Sequence, residues 1–166
     1  MARVSVAMRR AGRLLLILPA APILALLASG CGGGGKTEVS ATELVQRGDR
    51  ICREEQAKFD QLQSVPLGNA SDAADQTKAL IQVAENANSQ LGDLEPPEAL
   101  RGPLGTYLEA RDRAVDQMKR GQEAAENQDS ATYVALQTAV ARTAPQRRKL
   151  AAALGFKLCS ANPGSA

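Results

Sequence analysis

Between Ser71 and Leu94, small and apolar side chains recur at alternating spacings of four and three: Ala73, Thr77, Leu80, Ala84, Ala87, Leu91 and Leu94. Three sevenfold repeats of this kind put one stripe of an α-helix against a partner along its whole length. A strand would need a period of two. One helix cannot cover its own stripe, so the partners must come from elsewhere in the chain, and other stretches with helical spacing supply them.

Ser40-Ala41-Thr42-Glu43 fits the S-x-x-E capping box and opens a helix that runs to about Ser64. It carries Leu44, Ile51, Cys52, Phe59 and Leu62 on one stripe, and Val65-Pro66-Leu67-Gly68-Asn69 ends it, because proline disfavours helix in the preceding residue. The heptad helix starts near Ser71 or Asp72, with a side-chain oxygen as cap, and stops at Gly92 and Glu95-Pro96-Pro97. Pro97 suits the first turn of a third helix, whose inward face is Leu104, Tyr107, Leu108, Val115, Met118 and Ala125. Gly102-Pro103 is expected to kink or restart it. Asp129 or Ser130 caps a fourth helix bearing Val134, Leu136, Val140, Leu150 and Leu154, with a kink expected near Pro145. Gly155 suits the left-handed position past a helix end, with Phe156 folding back. Short loops make consecutive helices antiparallel neighbours, so the expected fold of residues 40–166 is all-α, an up-down-up-down four-helix bundle.

The first thirty residues stand apart. Arg3, Arg9, Arg10 and Arg13 precede an apolar run from Leu14 to Ala28, and small residues lead into Cys31. Charge, apolar core and small residues in that order make an export signal. The run, broken by Pro19 and Pro22, is shorter than the roughly 20 residues a membrane span requires. The ending LLASGC resembles the lipobox of bacterial lipoproteins, with Ser29, Gly30 and Cys31 matching and Ala28 standing where Leu is more usual. That resemblance implies cleavage before Cys31 and a diacylglycerol on its thiol. An ordinary secretory signal with an incidental cysteine is the alternative. Residues 31–39 then form a lipidated cysteine and a glycine-rich tether on the extracytoplasmic face of the cell membrane. Without the four signal arginines, the remainder has 16 basic and 18 acidic side chains. So nearly balanced a domain gives no reason to expect a nucleic-acid partner.

Cys52 lies on the first helix and Cys159 five residues beyond the fourth. In an antiparallel bundle the end of helix four lies beside the start of helix one, and five extended residues span the roughly 16 Å along helix one to Cys52. Outside the cytoplasm such thiols oxidise, so a Cys52–Cys159 disulfide is expected. A free thiol or a metal pair is the alternative, weakened by the lack of histidine and of a third cysteine in the domain.

The GCGGGG junction at Cys31, Ile51-Cys52, LEPPEAL from Leu94 to Leu100 and LGFKLC from Leu154 to Cys159 resemble a group of uncharacterised, alanine-rich actinobacterial lipoproteins. The resemblance spans nearly the whole chain after the signal. It implies a four-helix domain at the cell envelope and no assigned activity.

With no histidine, the common acid–base, triad and His-bearing zinc chemistries are excluded. Glu54-Glu55 point to different sides of a helix and read as solvated surface. Asp72 and Asp75 sit where a helix start favours negative charge anyway; a weak calcium site is the sharper alternative. No cofactor or metal site is expected. Arg142, Arg147, Arg148, Lys149 and Lys157 make the C-terminal part basic, either as a solvated face or as a contact for anionic phospholipid or wall polymer. The expected function is a non-catalytic envelope module that binds another protein or an envelope component. A carrier of a small apolar ligand or lipid, held between the helices, is the second reading.

Overall fold

Ser40 begins the first helix as its motif requires, its hydroxyl accepting from the Glu43 amide at 3.1 Å. Helix α1 spans Ala41–Gln63, α2 Ala70–Gly92, α3 Glu98–Glu126 and α4 Ser130–Ala153. The computed structural model describes residues 38–162, so Cys31, the apolar run before it and the glycine run after it lie outside the described residues. The described residues belong to one compact unit. It is an up-down-up-down four-helix bundle.

Every position of the α2 seam is buried, from Ala73 to Leu94. The core has two main parts. Near the chain's entry, Leu44, Leu91, Leu104, Tyr107, Ala151 and Phe156 pack together; further along, Leu80, Ile81, Ala84, Val115 and Met118 form a second cluster edged by Phe59 and Val140.

Four local expectations need correction. Helix α2 starts at Ala70, and Asn69 is its cap, accepting from the Asp72 amide at 3.0 Å. Asp72 instead accepts from the Gly68 amide, so it braces the turn. Pro97 precedes α3 as its cap, and α3 runs unbroken through Pro103. The ring removes only one helical hydrogen bond, and Ala99, whose carbonyl it leaves free, faces solvent. Pro145, where a kink is expected, lies inside α4 without ending it. Val134, expected inside, is 60% exposed.

Gly155 does adopt the left-handed conformation, with φ of 85°. Its amide donates to Ala152 O and that of Phe156 to Ala151 O, the paired bonds of a Schellman end. Gln128 occupies the same position after α3 with φ of 57°.

The helices do not close symmetrically. Packing is carried by α1 on α2, α2 on α3 and α3 on α4, whereas α1 and α4 make little direct contact. What joins α4 to α1 is the segment that follows it. Phe156 is buried against Gly48 of α1, the Leu158 amide donates to Asp49 Oδ1 at 2.8 Å, and the Cys159 and Cys52 sulfurs are bonded at 2.05 Å. The pairing expected from the sequence is present, reached through a terminal strap rather than by two helices lying flush.

Candidate functional site

Because α1 and α4 stand apart, a cleft opens between them with α3 as its floor. Its volume is about 250 Å³. Its polar lining is Glu55 from α1, Asn88 from α2, Tyr107 and Arg111 from α3, and Arg147 and Arg148 from α4. Its apolar lining includes Phe59, Val115, Met118 and Val140, which belong to the second core cluster or pack against it. Grooves of about 530 and 460 Å³ also run along the bundle surface. Their walls carry exposed, already paired charges such as Lys119–Glu85 and Arg47–Glu43, so greater volume does not make them better sites.

Arg111 organises the floor. Its guanidinium donates to Glu55 Oε1 at 2.6 Å, to Asn88 Oδ1 at 2.5 Å and to the Tyr107 hydroxyl at 3.1 Å, linking α1, α2 and α3. It also lies 5.5 Å from the Tyr107 ring centroid. Arg111 and Glu55 are only 12% and 13% exposed. Burial alone would lower the Arg111 pKa, but the Glu55 carboxylate and then Tyr107 outweigh it, leaving the pKa raised. This pair is therefore satisfied by its own hydrogen bonds.

Arg147 is different. It is half-buried, and its donors reach only neutral acceptors of its own helix, Thr143 Oγ1 at 2.6 Å and the Val140 carbonyl at 3.3 Å. Burial and then the neighbouring Arg111 charge push its pKa down. Arg148, also half-buried, faces the same space. Among the described residues no carboxylate forms a salt bridge with either. With Glu55 already committed to Arg111, two positive charges remain uncompensated along one cleft.

The expected basic face is thus divided. Arg142 and Lys149 are exposed, while Arg147 and Arg148 turn inward and line the cleft. Helical geometry explains the division. Arg142 and Lys149 are seven residues apart and nearly eclipsed; Arg147 and Arg148 are rotated from Arg142 by roughly 140° and 120° to either side. Glu55 corrects a second reading, for it belongs to the interior while Glu54 is exposed. The signal was available, since Glu55 follows Ile51 by four and Cys52 by three on the inward stripe. Arg111 similarly lies four residues from both Tyr107 and Val115.

Among the described residues, no group of three or more Cys, Asp or Glu could hold a metal ion, and no helix is long and apolar enough to cross a membrane. By its fold the domain is a four-helix bundle whose open edge is stapled by a disulfide-bonded C-terminal strap. Comparison with models of protein families, with curated proteins and with solved structures finds no match.

Proposed function

We propose that this chain is a lipid-anchored, non-catalytic binding module of the cell envelope, and that its binding site is the cleft between α1 and α4. One observation carries the choice of site: among the described residues, two half-buried arginines without a salt-bridge partner line a cavity whose Arg111–Glu55 pair is already complete. Uncompensated buried charge is costly, and a concave site with apolar walls and a few convergent polar groups is where ligands bind. The absence of histidine supports a binding role over acid–base catalysis. The anchor rests on Cys31, its small-residue approach and the glycine tether after it. Tethering would hold the domain within a thin layer beside the membrane, where effective concentration strengthens weak contacts.

Two experiments test the parts separately. Cys31→Ala should leave the protein uncleaved or shift it from the detergent phase to the aqueous phase; unchanged partitioning with an unacylated mature N-terminus contradicts the anchor. For the site, a photoreactive residue at Gln56, exposed on the cleft's α1 wall, should form adducts in intact cells. The same probe at Val134, exposed outside the cleft, should not. Equal adducts at both positions, or adducts at Val134 alone, contradict the cleft. Contact through the outer basic surface is distinguished by Arg142→Glu with Lys149→Glu, which should spare the Gln56 adducts.

A further inference from the structure

We propose that the occupant of the cleft is a small aliphatic anion, with a carboxylate or phosphate head at Arg147 and Arg148 and a short hydrocarbon against Val140, Val115 and Phe59. This deepens the reading of the cleft as a binding site and rests on it. Three observations converge. The cleft presents polar groups, several of them gathered about Arg111, together with apolar side chains of the second core cluster, so a ligand with two chemically different ends matches it best. Among the described residues the unpaired charge in the cleft is positive, because Glu55 is engaged by Arg111 and no carboxylate forms a salt bridge with Arg147 or Arg148. The Arg147 donors are held by neutral oxygens of its own helix, which a charged acceptor would displace to advantage, since hydrogen bonds to ionised groups are the stronger ones. A planar guanidinium suits both carboxylate and phosphate, engaging either in a bidentate fashion.

Size sets the length of the tail. About 250 Å³ lies just below the roughly 300–1,000 Å³ of sites that engulf drug-sized ligands. The floor is closed by packed side chains of the second core cluster, Val115 and Met118 among them. A short chain fits inside, whereas a full-length diacyl lipid would leave most of its hydrocarbon in water. A polar metabolite without a tail would leave the apolar lining uncovered.

The test uses the chain from residue 31 with Cys31→Ala, disulfide intact, followed by chemical-shift mapping during titration. Octanoate and octyl phosphate, below the concentrations at which they form micelles, are compared with octanol and with inorganic phosphate. At least one octyl anion should bind and shift residues on both sides of the cleft, and the tighter of the two identifies the head group. Octanol and inorganic phosphate should each bind at least about tenfold more weakly, as should the octyl anion to Arg147→Met, given the usual worth of a charged hydrogen bond. Thermal melting of the variant establishes that it is folded, and Arg148→Met provides a second variant with the same expected direction. The proposal is overturned if neither octyl anion binds, if octanol binds equally well, if inorganic phosphate binds equally well, or if both arginine variants retain full affinity. If it is overturned while Gln56 adducts still form in cells, the cleft remains the binding site and only the ligand class is wrong.

Discussion

Helices α2 and α4 have nearly the same length, 23 and 24 residues, yet α2 buries eight residues and α4 only Ala151. The cause is position. Helix α2 lies between α1 and α3 and is packed on two sides, whereas α4 packs chiefly on α3 and faces the cleft where a closed bundle would present α1. The sequences anticipate this. Helix α2 keeps a small or apolar residue at every seam position, and α4 interrupts its apolar pattern with Arg147 and Arg148. Cations placed where packing would otherwise close the bundle are a cost to the fold, of the kind found where a site is being kept open.

If α4 is held largely by its terminal strap, cutting the strap should have the largest effect. Replacing Cys52 and Cys159 with Ser opens a loop with a sequence separation of 107 residues. The chain-entropy model assigns this roughly 4–5 kcal/mol, an upper figure. Chemical denaturation should show the loss, and hydrogen exchange should show α4 losing protection ahead of α2. Equal loss in both helices would mean that α4 is no more dependent on the strap than α2.

Side-chain truncation tests the same contrast directly. Leu91→Ala, at a fully buried α2 position, should cost about 2–5 kcal/mol. Val134→Ala on α4 should change stability by less than about 0.5 kcal/mol, because that side chain is 60% exposed. Comparable losses at the two sites would contradict the burial assigned to α4.

Gly48 probes the strap's seat on α1. A Cβ there would come closer than 3.0 Å to three atoms of the fully buried Phe156 ring. Gly→Ala inside a helix normally stabilises by nearly 1 kcal/mol. Here overpacking should reverse the sign, for a net loss of about 1–2 kcal/mol in equilibrium unfolding. A stabilised Gly48→Ala would show that the strap yields easily.

Much of this was legible before any coordinates. The α2 seam was complete because heptad spacing reports burial wherever a helix has neighbours on both sides of its stripe. Gly155 and Phe156 were readable because a left-handed position strongly favours glycine. The Cys52–Cys159 pair followed from the antiparallel order of the helices. The cleft was not legible. Arg147 and Arg148 look in sequence like part of a continuous basic surface, and only rotation about the helix axis separates them from Arg142 and Lys149. Glu55 and Arg111 were lost for a related reason: charged residues are expected outside, and their mutual satisfaction depends on a contact between helices 56 residues apart in sequence. Val134 fits the apolar pattern yet faces solvent because α4 lacks a second neighbour.

A cleft kept open for binding at the expense of stability, with Arg147 as its cationic anchor, has a direct test. Arg147→Met keeps most of the apolar stem and removes the uncompensated charge. Its thermal melt, recorded with and without octanoate, tests both halves together. Ligand-free, the variant should be more stable than wild type by roughly 0.5–1 kcal/mol, as stabilising changes at functional positions tend to be. Octanoate should stabilise the wild type and leave the variant unmoved. A variant that melts below wild type and gains as much from octanoate would contradict both expectations.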